Sequence, residues 1–237
     1  MERPLIVITG GSSGIGLATA QAFARAGHPL LLIARHIKPL PALADYPILY
    51  AQADVADYDA LSRAILDAEQ RYGITDCLVN NAGLIDARPF EELQPSDYEK
   101  EINTNLLGTL HGIKAVLSRM VEQQRGTIIN ISSVSDRKTS PVAVGYTASK
   151  YAVRALSECL REAEGKHGVR VINIAPGYVR TNIHTRMGIS FEEYCQRLGN
   201  PDFMTPEELA DIIYYCYQLP PHICIRELVV TPTRTAF

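Results

Sequence analysis

The chain has 237 residues, of which 46% are hydrophobic and 21% charged. That length suits one large α/β domain, and the composition is that of a folded chain rather than a disordered one. The net charge is −3 with no basic stripe, which speaks against nucleic acid or an anionic membrane as partner. No apolar run approaches the ~18 residues of a membrane span. Residues 5–8 are too short for a signal-peptide core and read as a buried strand, so a cytoplasmic protein is expected. The cysteines are Cys77, Cys159, Cys195, Cys216 and Cys224. An odd count without C-x-x-C spacing speaks against a disulfide framework or zinc ribbon, and all five are read as buried or half-buried small apolar residues.

Short apolar runs at 5–9, 30–34, 48–51, 77–80, 127–131, 169–174 and 225–231 lack strict alternation, the pattern of strands covered on both faces. Helix-like segments lie between them. The first, 14–27, opens after a Gly/Ser loop and closes at Gly27. The second spans 57–72. A long stretch at 96–124 has room for two segments. Residues 146–166 form a well-patterned helix, and 205–219 begins with Thr205 as N-cap and Pro206 at the first helical position. Pro39 and Pro41 predict a truncated or missing helix after the second strand. The alternation predicts a Rossmann-type doubly wound parallel sheet of about seven strands in a single domain over 1–237, with helices on both faces.

Three motifs carry chemistry. Thr9-Gly10-Gly11-Ser12-Ser13-Gly14-Ile15-Gly16 follows a strand and opens a helix, the setting in which glycines serve a dinucleotide rather than an ordinary turn. Gly10 permits the tight turn, Gly14 lets a pyrophosphate approach backbone N–H groups at the helix start, and Gly16 lets the helix pack closely on the sheet. Asn80-Asn81-Ala82-Gly83 follows the fourth strand. It reads equally as a tight polar turn and as a strand end pinned by asparagine side chains beside a flat ligand. Tyr146 and Lys150, at i and i+4 on one helical face, make either a surface contact or a tyrosine whose pKa a neighbouring ammonium lowers toward neutrality.

Taken together these residues resemble the short-chain dehydrogenase/reductase family over essentially the whole chain. Thr9, Gly10, Gly14 and Gly16 match its glycine motif, residues 80–83 its N-N-A-G motif, and Tyr146 and Lys150 its catalytic pair. The serine thirteen residues before the tyrosine is Ser133, the active-site asparagine is Asn105, and Pro176-Gly177-Tyr178-Val179-Arg180-Thr181 matches the P-G-x-V-x-T segment. The resemblance implies that Tyr146 exchanges a proton with the substrate oxygen. Lys150 would lower the Tyr146 pKa and hold the nicotinamide ribose, Ser133 would bond the substrate oxygen, and Asn105 would place a relay water. It also implies cofactor contacts from Ser12, Ser13, Ile15, Asn81, Ala82, Gly83, Pro176, Gly177 and Val179. Asp54 and Val55 would lie on the adenine side and Thr181 at the carboxamide. No metal is implied.

The second strand ends Ile33-Ala34-Arg35-His36 without a carboxylate. Arg35 suits a 2′-phosphate, so NADP(H) is the expected cofactor, although Ser13 supplies no second basic residue. Substrate contacts are expected from 84–95, from 134–145 with Asp136, Arg137 and Lys138, and from a loop at about 182–204 with His184, Arg186, Phe191, Tyr194 and Arg197. The C-terminal part resembles the branch of NADP-dependent 3-hydroxy acid (serine-type) dehydrogenases. The expected reaction interconverts a carbonyl and an alcohol on a 3-hydroxy acid or a small aldehyde or ketone. The alternatives are a reductase of a biosynthetic aldehyde or ring ketone, and a non-catalytic NADP-sensing protein. The resemblance implies a homodimer or homotetramer built on the helices at 96–124 and 146–166.

Overall fold

The computed structural model describes residues 3–183 and 188–235. Seven strands, β1 (Leu5–Thr9), β2 (Leu30–Ala34), β3 (Ile48–Gln52), β4 (Thr75–Asn80), β5 (Gly126–Ile131), β6 (Val169–Pro176) and β7 (Glu227–Val230), form one sheet in the order β3-β2-β1-β4-β5-β6-β7. Every neighbouring pair is parallel, as the apolar runs require. Residues 35–46 hold only a short 3-10 turn at Pro41–Leu43, consistent with the two prolines.

The helices are α1 (Gly14–Arg25), α2 (Tyr58–Tyr72), α3 (Pro95–Ile102), α4 (Gly108–Glu122), α5 (Val144–Glu164), α6 (Phe191–Arg197) and α7 (Pro206–Gln218). The stretch at 96–124 divides at a π-helical turn, Asn103–Leu107. Thr205 caps α7 in a reciprocal bond pair with Glu208. Strand periodicity sorts the core into two layers. Ile6 and Ile8 pack with Phe23 of α1 and Leu209 and Ile213 of α7. Leu5 and Val7 pack on the other face with Leu61 and Ile65 of α2 and Ile113 and Val116 of α4.

Beneath the site runs a polar row. Asn80, Asn130 and Asn173 stand side by side in register on β4, β5 and β6. Asn80 donates to Asn130 at 2.9 Å, and Asn130 donates to Ser157 of α5 at 2.9 Å. All four residues are buried, so this row fixes how α5 sits on the sheet. Among the cysteines, Cys159 departs from expectation: it is exposed on α5, while Cys77 and Cys216 are buried and Cys195 and Cys224 are half-buried. Within the described residues no helix is long and apolar enough to cross a membrane.

Candidate active site

The sheet order reverses between β1 and β4, the place where open α/β sheets leave a crevice at the strand ends. A cleft of about 350 Å³ opens there, lined by Gly10, Ser12, Ser13, Gly14 and Ile15 of the first turn. Gly10 and Gly14 have φ of +66° and +53°, and a Cβ on Gly10 would lie 2.9 Å from the Ala82 backbone, so glycine is required by conformation and by space. Ser13 is the N-cap of α1 and makes no side-chain cap bond, which leaves the helix start open toward the cleft. Arg35, His36, Asp54 and Val55 line the far end, and Asn81, Ala82, Gly83 and Thr181 the near end.

Thr9 and Gly16 stand behind the cleft rather than on its wall. The Thr9 hydroxyl donates toward the Val79 carbonyl oxygen and accepts from the Asn81 and Ala82 N–H groups. Asn81 in turn donates to the carbonyl oxygens of Thr9 and Gly10. A Cβ on Gly16 would come within 2.2 Å of the Gly10 carbonyl oxygen, so helix and turn touch because Gly16 has no side chain.

A second cleft of about 410 Å³ adjoins the first and shares Ile15, Asn81, Gly83 and Thr181 with it. Ser133, Tyr146, Lys150, Pro176, Gly177 and Val179 line it. Lys150 is 5% exposed and its Nζ donates to the Ile131 carbonyl oxygen at 2.9 Å. That nitrogen lies 5.5 Å from the centre of the Tyr146 ring. Ser133 Oγ accepts from Ser135 N–H at 3.1 Å. Asn105 sits in the π-helical turn, a distortion that recurs at functional sites. Its Oδ1 accepts from Leu84 N–H, and its Nδ2 donates to the Leu84 carbonyl oxygen and to Ser149 Oγ.

The electrostatics add what the spacing does not show. Burial pushes the Tyr146 pKa above its ordinary value, and the charges of Glu101 and Asp136 push the same way against the Ser133 hydroxyl. Lys150 is not among the causes. Burial brings Lys150 itself down to about 8, with Asp136 opposing. The lysine spends its hydrogen bond on Ile131, and desolvation governs both groups.

The outer candidates divide. Lys138 and Tyr194 line the second cleft, together with Leu84, Ile85, Tyr178 and Leu198. Asp136 and Arg137 turn inward instead. Asp136 is fully buried and accepts from Arg137 Nε at 2.7 Å and from Asn173 Nδ2 at 2.9 Å. Phe191 packs on Phe203 and lies beneath the Arg180 guanidinium. Arg197 is exposed and pairs with Glu193 at 3.7 Å. His184 and Arg186 lie outside the described residues.

A sequence profile of the short chain dehydrogenase family matches residues 4–189. The chain belongs to that family. It is 33% identical over 242 residues to an uncharacterized oxidoreductase of Listeria monocytogenes, covering 98% of each chain. Its fold is similar to the closed form of a serine dehydrogenase complexed with NADP+, with a TM-score of 0.91, 29% identity and coverage of 98% and 96% of the two chains. A short chain dehydrogenase from Mycobacterium paratuberculosis bound to NAD is similar at a TM-score of 0.83 and 28% identity, over 96% of each chain. This short-chain dehydrogenase is thus a family oxidoreductase whose relatives hold either nicotinamide dinucleotide.

Proposed function

We propose that this protein is an NADP-dependent oxidoreductase that interconverts a carbonyl and an alcohol, with Tyr146 as general acid and base. The observation that carries this reading is the meeting of the glycine-lined cleft with the cleft holding Ser133, Tyr146 and Lys150. Gly10, Ser12, Ser13, Gly14 and Ile15 would hold the pyrophosphate, Asp54 and Val55 the adenine side, and Asn81, Ala82, Gly83, Pro176, Gly177, Val179 and Thr181 the nicotinamide side. The cofactor, when bound, supplies the hydride. Ser133 would orient the substrate oxygen and Tyr146 would exchange its proton with that oxygen. Lys150 would turn from the Ile131 carbonyl to the ribose hydroxyls, and its charge would then favour the phenolate. Asn105 would support a relay water beside Lys150.

Arg35 supports NADP(H) over NAD(H). It is exposed at the end of β2 and lines the first cleft, where a carboxylate would otherwise meet the ribose. The substrate is proposed to be a 3-hydroxy acid or a small aldehyde or ketone. A second reading, reduction of an aldehyde or ring ketone with a larger apolar body, is favoured by Ile183, Tyr194 and Leu198, which the loop at 182–204 brings to the second cleft among its described residues. A cytosolic homodimer or homotetramer completes the proposal. Leu107, Leu110, Val144 and Tyr151 are exposed on the two long helical stretches, and the cysteines are all free.

The test is fluorescence titration of the purified chain with NADPH and NADH. NADPH is expected to bind more tightly by roughly tenfold or more, the worth of a charge-assisted phosphate contact. Equal affinities would remove the role given to Arg35.

A further inference from the structure

Glu101 is an acidic side chain with no place in the reaction described above, yet it is fully buried at the end of α3. A carboxylate buried in this way must be held on both oxygens or it destabilises the fold. Its Oε1 accepts from the Asp86 N–H at 2.8 Å. Its Oε2 lies against the start of α5, where a Cβ on Gly145 would be 2.3 Å away. Burial pushes the Glu101 pKa up, and the N–H groups of Asp86 and Tyr146 oppose that shift by favouring the charged form, although Oε2 makes no hydrogen bond of full geometry.

The helix it touches lacks a cap of its own. The N-cap of α5 is Ala143, which offers no side-chain acceptor, and its first turn holds no acidic residue. Orphan N–H groups and a positive dipole end therefore face Glu101. Asn105 stands four residues on, one helical turn away, and makes the same pair of contacts one step along. It grips Leu84 where Glu101 grips Asp86, and it reaches Ser149 where Glu101 reaches Tyr146. The stretch from α3 into the π-helical turn is thus a double clasp between the cleft loop and the helix of Tyr146.

We propose that Glu101 is a positioning residue, whose carboxylate fastens the first turn of α5, and with it Tyr146, to the cleft loop at 84–86. The inference rests on the reading of Tyr146 as the proton-exchanging group. Glutamine at this position can satisfy only one side. With its carbonyl oxygen turned to Asp86, its NH2 group meets the N–H groups of the helix, and the reverse turn frees Asp86.

Glu101→Gln is therefore compared with the wild type by amide hydrogen exchange and by steady-state kinetics. The kinetic probe is whichever of 4-nitrobenzaldehyde, 2,3-butanedione and cyclohexanone the wild type reduces fastest with NADPH. The expected result is exchange faster by roughly tenfold at the first turn of α5. Turnover should fall roughly tenfold to a hundredfold, as for a slightly misplaced catalytic group, with NADPH affinity and KM unchanged. Either wild-type exchange at α5 or wild-type turnover would overturn the proposal. If Glu101→Gln does not fold, Gly145→Ala takes its place, because its methyl group collides with Oε2. It should show the same faster exchange at the first turn of α5 and the same fall in turnover, with KM and NADPH affinity unchanged, and wild-type exchange or wild-type turnover there would overturn the proposal. Tyr146→Phe separates the two claims: full activity there defeats the reading of Tyr146, whereas full activity in Glu101→Gln alone defeats only the clasp.

Discussion

Lys150 Nζ donates to the carbonyl oxygen of Ile131 at 2.9 Å, and this single bond serves an ammonium that is almost wholly out of water. Burial lowers the Lys150 pKa from 10.5 to about 8, so the unfolded chain binds this proton more tightly than the folded one. The stability cost, of order 3 kcal/mol, is present in full below about pH 8 and is relieved as pH rises toward 10.5. Lys150→Met lacks this titration. Its melting temperature relative to wild type should therefore be highest near neutrality, and the difference should move toward the wild type between about pH 8 and about pH 10. Thermal melts of both proteins across that range check this, and a constant difference would contradict it.

The asparagine row gives a stability prediction away from the chemistry. Asn130 is fully buried and bridges Asn80 and Ser157. Asn130→Ala leaves the buried Asn80 amide without its acceptor, at about 1–3 kcal/mol, and takes from Ser157 one of its two hydrogen bonds, the other running to the Val153 carbonyl oxygen, so the seat of α5 loosens. Urea denaturation should show a loss of roughly 2–4 kcal/mol. A variant as stable as wild type would mean that the row is ornamental.

Arg35 predicts a change in cofactor choice rather than in chemistry. Arg35→Ala should weaken NADPH binding by roughly ten- to a hundredfold, about 1.4–2.8 kcal/mol, and leave NADH binding unchanged. Titration of the variant with each dinucleotide reads this directly. Equal weakening of both would place Arg35 in general support of the cleft.

The strands were legible because each is a short apolar run, with β1, β2, β4, β5 and β6 buried on both faces, and the truncated segment at 35–46 because two prolines forbid a helix. The glycine turn was legible too, since sequence spacing alone places Gly10, Gly14 and Gly16. What stayed hidden depends on contacts between distant segments. Glu101 reads as one more helix-surface acid until Asp86 and Gly145 are brought around it. Asn130 and Asn173 look like interruptions of apolar strands until register aligns them with Asn80. Asp136 and Arg137 sit in a loop that sequence assigns to the substrate, yet Asn173 draws Asp136 inward. The Tyr146–Lys150 spacing was plain, but its consequence for the tyrosine pKa was not, because desolvation leaves no mark in sequence. A surface cysteine such as Cys159 likewise differs from a buried one only by its position around α5.

The central claim is proton exchange by Tyr146 coupled to hydride transfer. The most direct measurement follows the nicotinamide absorbance of saturating NADPH with the same carbonyl panel, for the wild type and for Tyr146→Phe. The account predicts steady NADPH consumption by the wild type with at least one carbonyl. It predicts loss of at least roughly a hundredfold in the variant, the worth of a general acid, with NADPH binding retained. Turnover in Tyr146→Phe equal to that of the wild type would contradict it.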